Sequence, residues 1–372
     1  MGSPLDGILV LDFSTLLPGP MAGLVLAEAG AEVIKIERPG AGEDMRHYQP
    51  RWGESSASFN LLNRGKKSLA LNLKDERDKA KLQPLADNAD VIIEQFRPGV
   101  MARLGLDYGT VKATNPGIVY CSITGYGQTG SKRDAAGHDL NYLGDTGLLS
   151  QSMGTAESPV LPPALFGDIA GGAYPAVMNI LLALRERDRS GEGAYLDISM
   201  SDNLFPFLFW TLGNGQAAEQ WSGNGDGLFT GGSPRYRIYA TADGKFIAVA
   251  ALEQKFWEAF TDVIGLEPGL RHDEKNPAAT IAGVATLIAG QTGDHWAPLF
   301  AAADCCASVI RTVQEALDDP HFRARGLFDA AVINNEGDEM PALPVPVARS
   351  LRAIPDGPRG APALGAHNGD LI

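Results

Sequence analysis

The sequence predicts an α/β protein. It reads as a large domain built on a parallel sheet with helices on both faces, and a smaller α+β domain. Three observations predict this. From Ile8 to Gly127, short apolar runs of strand length alternate with helical stretches. The connections are brief, which implies parallel strands and right-handed crossovers. After Asn214 the pattern changes to a hairpin followed by helices.

The elements follow in order. Ile8–Phe13 (ILVLDF) is a strand ended by turn residues, and Met21–Ala29 is an alanine- and leucine-rich helix preceded by Pro18, Gly19 and Pro20. Gly30 stands where a helix commonly ends, and Glu32–Glu37 (EVIKIE) is the second strand. Ser68–Leu73, Asp90–Phe96 and Ile118–Gly127 continue the strands, separated by helices over Lys74–Asn88 and Val100–Leu104. Asn214–Gly232 is rich in glycine and polar residues and reads as a linker. Tyr236–Leu252 is a hairpin about Asp243-Gly244, and helices follow over Gln254–Ile264, Ala279–Gln291 and Trp296–Ala303. The tail from Val345, rich in proline and glycine, is expected to pack back on the large domain. The domains are therefore 1–215 with 330–372 returning to it, a Rossmann-like unit, and 216–329 as linker and small domain.

Composition sets limits. Against 45 acidic residues stand 31 Lys and Arg, a net charge of −14, so a nucleic acid or an anionic membrane is a poor partner for the overall field. Three cysteines without CxxC spacing argue for neither a disulfide framework nor zinc. No basic and apolar leader opens the chain. The apolar run 164–184 is interrupted by Gly167, Asp168, Gly171, Gly172 and Pro175, against a membrane span. The expectation is a soluble, cytoplasmic protein without a metal site.

Three residues carry candidate chemistry. Asp168 precedes an apolar stretch of helical length, where aspartate serves either as a helix cap or as a carboxylate beside free amides that could bind an oxyanion. His138, in AAGHDLNY, belongs to a residue type suited to general base work at neutral pH. Glu253 follows the hairpin and suits the first turn of a helix. Arg38 and Arg97 follow strands, and Arg64, Lys66 and Lys67 precede one. A cluster of cations at strand ends suits a phosphate-bearing ligand. Gly125–Gly130 (GYGQTG) is a Gly-rich loop following a strand, and no P-loop motif is present. Leu16, Leu17, Phe205 and Phe209 suit an apolar pocket or the core, and read as core rather than pocket.

The segments LPGPMAGLVLAEAGAEVIKIERPG, ADVIIEQFRPGVMARLGLDY, GHDLNYL, LFGDIAGG and ADGKFIAVAALEQKFW together resemble the family III CoA-transferases (the CaiB/BaiF group), and within them the α-methylacyl-CoA racemase branch. The resemblance implies an isomerase of lipid metabolism that inverts the α-carbon of a 2-methyl-branched acyl-CoA. His138 and Asp168 would exchange the α-proton from opposite faces, with Glu253 supporting the histidine. It assigns the CoA surface to Arg38, Leu71, Leu73, Glu94, Arg97, Arg103, Gly137, Asp139 and Tyr142. It implies an interlocked homodimer and no cofactor, since CoA belongs to the substrate. The alternative it offers is CoA transfer between carboxylic acids with Asp168 as nucleophile. The 40–68 segment resembles the transferase version of that loop.

Overall fold

The computed structural model describes residues 3–155, 157–353 and 357–372. The chain divides into two units. One comprises 1–146, 164–206 and 320–372, the other 147–163 and 207–319.

The first unit is built on six parallel strands: β1 (Leu9–Asp12), β2 (Glu32–Glu37), β3 (Lys67–Ala70), β4 (Val91–Glu94), β5 (Val119–Thr124) and β6 (Ala194–Ser199). Their spatial order is β3-β2-β1-β4-β5-β6. Covered on both faces, the central strands read as nearly continuous apolar runs, and β4 and β5 are buried at every residue. The order reverses between β1 and β4, so the carboxyl ends of these two strands border a crevice.

α1 (Pro18–Glu28) crosses from β1 to β2 and is buried from Pro18 to Ala27, as expected of a helix that is apolar on every side. Its first residues supply few donors: Pro18 and Pro20 lack an N–H, and the Gly19 N–H is taken by Gln95 Oε1 at 3.1 Å. α2 (Ala57–Asn63), α3 (Glu76–Asn88) and α4 (Val100–Leu104) follow, then α5 (Asp139–Asp145). A π-helical turn, Gly167–Ala173, runs directly into α6 (Tyr174–Ser190). The glycines that interrupt the apolar run 164–184 lie within this continuous helical stretch. Gly171 and Gly172 admit close contact, since a Cβ on either would meet Met200 within about 3 Å. On length and apolarity alone Gly167–Ser190 could cross a membrane. Here Gly167, Gly171, Ala176, Ile180 and Leu184 are buried in the unit.

The tail closes the first unit. β10 (Ala331–Ile333) pairs antiparallel with β11 (Glu339–Pro341) and parallel with β12 (Arg359–Gly360). The short helix α11 (Asn368–Leu371) docks on β3, where Asn368 bonds both the N–H and the carbonyl of Ala70.

The second unit contains the predicted hairpin, β7 (Tyr236–Ala240) and β8 (Phe246–Ala250), with β9 (Ala307–Val309) added antiparallel. α8 (Gln254–Ile264), α9 (Pro277–Ala289) and α10 (Gly293–Ala303) cover it. Trp257, Phe260, Trp296 and Phe300 form its aromatic core, with Trp296 stacked on Phe300 at 5.5 Å. The stretch read as a linker is partly helical, because α7 (Phe209–Ala218) extends into it.

Candidate active site

The crevice at the carboxyl ends of β1 and β4 holds two cavities, of about 430 and 330 Å³, that share the walls Thr15 and Phe96. The larger is lined by Arg97, Gly137, His138, Tyr142 and Asp168, and the smaller by Arg38, Leu71, Leu73 and Lys74. Most of the expected site residues are thus drawn into one trough within the first unit.

His138 precedes α5, its N–H held by Asn141 Oδ1 at 3.0 Å, and its side chain is exposed. Tyr142, one turn on, packs edge-on against Tyr126 at 5.3 Å and donates its hydroxyl to Gly137 O at 2.6 Å. The fit requires glycine on both sides, since a Cβ at Gly125 or Gly137 would stand 2.5 or 2.8 Å from the Tyr142 ring. Burial, then the charges of Asp168, Tyr126 and Asp139, push the Tyr142 hydroxyl up to about 12.

Asp168 lies in the first turn of the π-helical segment and caps nothing. The capping is done by Asp139, which is buried and accepts the Asp168 N–H at 3.0 Å and the Gly167 N–H. This corrects two expectations. Asp168 is not the helix cap, and the amides beside it are already occupied, so they do not form an oxyanion site. The Asp168 carboxyl is pushed up to about 6, first by burial and then by Asp139, with His138 pulling the other way. His138 is thus near enough to act on Asp168 electrostatically.

Sequence reading missed Thr124 as an individual residue. It ends β5 and lines the larger cavity, and its buried hydroxyl has no hydrogen-bond partner among the described residues. No sequence signal marks an unpartnered hydroxyl. Leu16, expected in the core, also lines this cavity with a left-handed backbone, φ 62°. Its N–H donates to Glu43 Oε2 at 2.6 Å, which holds a conformation that a leucine does not adopt unaided.

Other expected residues lie elsewhere. Glu94 lines neither cavity. It is buried in β4, accepts the Phe96 N–H at 2.8 Å, and is raised to about 7 by burial. Asp139 backs the trough without lining it. Arg103 is exposed on α4 and lines neither cavity. Arg38 does line the smaller cavity, where it bonds Asp44 and Gly42 O at 2.7 Å. Lys66 is fully buried against Asp12 at 2.9 Å, and Arg64 against Glu28 at 3.0 Å, at the start of β3 rather than at the crevice. Phe205 and Phe209 are exposed rather than core. Glu253 belongs to the second unit as the residue before α8; its carbonyl accepts the Phe256 and Trp257 N–H groups while its exposed side chain makes no cap.

The charges beneath the trough are paired. Lys35 joins Glu43 at 2.9 Å and Ser14 O at 2.9 Å, and Arg46 grips both oxygens of Glu37 at 2.8 and 2.7 Å. A Cβ on Gly23 would approach Asp12 Oδ2 and Lys66 Nζ at 3.0 Å, so α1 rides directly over this pair. Asp12 is held down to about 2: burial opposes its charge, and Lys66 and Lys35 outweigh it.

Known proteins resemble this chain in sequence and fold. The model for CoA-transferase family III matches residues 5–368. The human alpha-methylacyl-CoA racemase is 34% identical, covering 99% of this chain and 92% of that protein. The acetyl-CoA:oxalate CoA-transferase of Acetobacter aceti is also 34% identical, over 93% and 89%. Among solved structures, Rv3272 from M. tuberculosis superposes with a TM-score of 0.83 at 30% identity, covering 100% of this chain and 99% of that one. A CaiB/BaiF family protein from Brucella suis gives 0.80 at 29%, covering 100% and 98%. This chain belongs to family III of the CoA-transferases, the family of both CoA-transferases and acyl-CoA racemases.

Proposed function

We propose that this chain is an acyl-CoA racemase or epimerase that inverts the α-carbon of a 2-methyl-branched acyl-CoA by 1,1-proton transfer. The observation that carries the reading is the placement of His138 and Asp168 on one cavity, with the Asp168 carboxyl held near neutrality. One base removes the α-proton, the electron pair passes into the thioester carbonyl as an enolate, and the other group protonates the opposite face. A carboxyl near pH 6 can serve in either direction, because its proton is neither tightly held nor wholly lost at working pH. The Thr124 hydroxyl, without a hydrogen-bond partner among the described residues, is available to donate to the enolate oxygen.

In this reading the trough takes the CoA. Arg97 meets phosphate near the reacting end, while Arg38, Lys74, Leu71 and Leu73 hold the far end. The protein works as a homodimer in which the partner subunit's Glu253 supports His138. α6 leaves Tyr174, Met178, Leu181 and Leu182 exposed along one side, a stripe that a second copy would cover. No cofactor is called for beyond the CoA of the substrate, and the protein is expected in the cytoplasm.

The second reading is CoA transfer, favoured by the equal identity of the oxalate transferase. There Asp168 attacks the thioester carbonyl and CoA leaves as thiolate, giving a mixed anhydride. One experiment separates the two. In D₂O, without any second acid, a 2-methylacyl-CoA should gain α-deuterium and racemise. CoA transfer to added carboxylates without such exchange would replace racemisation with transfer.

A further inference from the structure

The first unit holds another large cavity, of about 460 Å³, that shares no residue with the trough. It lies toward the amino ends of the strands, beside the end of α1 (Glu28) and the residues just before β3 (Arg64). Five arginines line it: Arg64, Arg325, Arg349, Arg352 and Arg359. Only two carboxylates oppose them. Glu28 pairs with Arg64 at 3.0 Å, and Asp329 with Arg349 at 3.6 Å. The described lining therefore carries three uncompensated positive charges in a chain of net charge −14.

The arginines are held in place. Arg352 donates to Val347 O at 2.9 Å and Val345 O at 2.5 Å, and Arg64 to Leu61 O at 2.7 Å and Leu343 O at 2.8 Å. Arg325 and Arg359 have no side-chain partner among the described residues. The neighbouring charges of Arg352 and Arg359 add to burial in depressing the pKa of Arg64, which shows how closely the guanidinium groups crowd. Gathering like charges around a partly apolar hollow is unfavourable unless an anion completes it.

We propose that this cavity is an anion site that takes a phosphate-bearing small molecule, separate from the CoA trough. Guanidinium groups match phosphate oxygens two at a time, and Val345, Pro346 and Leu327 leave an apolar wall for the rest of the ligand. The probe is inorganic pyrophosphate, followed by isothermal titration with and without saturating CoA. Binding should weaken with added salt and be unaffected by CoA. The double variant Arg325→Gln/Arg359→Gln should bind about tenfold more weakly or worse, since each substitution removes a charge-assisted contact. Arg325→Lys/Arg359→Lys should retain part of the affinity, and thermal melting without pyrophosphate should show both variants folded. No binding at millimolar pyrophosphate, competition with CoA, or equal affinity in wild type and the glutamine variant would overturn the proposal.

Discussion

The interior beneath the trough and the trough itself place carboxylates in opposite circumstances. Inside, Asp12, Glu37 and Glu43 face Lys66, Arg46 and Lys35, and every charge has an opposite within 3 Å. In the trough, Asp168 is half-buried with no cation bonded to it among the described residues, and its nearest charge of consequence is another carboxylate, Asp139. The same residue type is pushed down to about 2 at Asp12 and up to about 6 at Asp168. Paired charge fixes the backbone that shapes the crevice, whereas the unpaired carboxyl keeps a proton within reach of chemistry.

The comparison breaks first at Asp168. Asp168→Asn should lower turnover about 10²–10⁴-fold, the usual contribution of a proton-transferring group, with CoA binding retained in a titration. The same variant should be more stable than wild type near pH 7. Because the folded pKa of about 6 lies above the ordinary value of 3.8, ionisation is disfavoured in the folded state. That penalty is fully present above pH 6 and disappears as pH falls below about 4, so urea midpoints of the two proteins should converge in acid. A variant no more stable at pH 7 would mean that Asp168 bears no such burden.

Next comes Lys66. Lys66→Met removes the bonded cation from buried Asp12, leaving it Lys35 and Ser14, and should cost about 3–5 kcal/mol in urea unfolding. Thr124→Val tests the unpartnered hydroxyl. It should lower kcat about tenfold, as for one hydrogen bond made to developing charge, with thermal stability unchanged or slightly raised. If kcat survives, the hydroxyl plays no part in the chemistry. The smallest effect belongs to Lys67, whose pair with Glu32 is exposed on both sides. Lys67→Ala should change stability by less than about 1 kcal/mol. Lysines adjacent in sequence would then differ severalfold in cost, solely through burial.

That pair also shows what a sequence reveals. The strands were legible because parallel strands buried on both faces must be continuously apolar, and VIIE and VYCSIT are nearly so. The hairpin at Asp243-Gly244 was legible from its turn chemistry. Lys35 and Lys66 were not, because their burial depends on acids up to 54 residues away. Asp168 was recognisable by motif, yet its local role was misread: the carboxylate that caps its helix is Asp139, which lies 29 residues earlier. Gly171 and Gly172 show in the sequence only as interruptions of an apolar run, whereas the close approach of Met200 that requires their small size is not legible there.

The strand order 3-2-1-4-5-6 is that of folds which bind dinucleotide pyrophosphate on the amides at the start of the first helix. Here that helix begins Pro-Gly-Pro, and its one early donor is spent on Gln95. A CoA lying in this crevice would depend on side chains such as Arg97, Arg38 and Lys74 for its phosphates. Side-chain recognition can be altered one substitution at a time without rebuilding the turn. It would also make affinity fall with ionic strength, and it gives the family a route to vary its acyl-CoA partners while the sheet stays fixed.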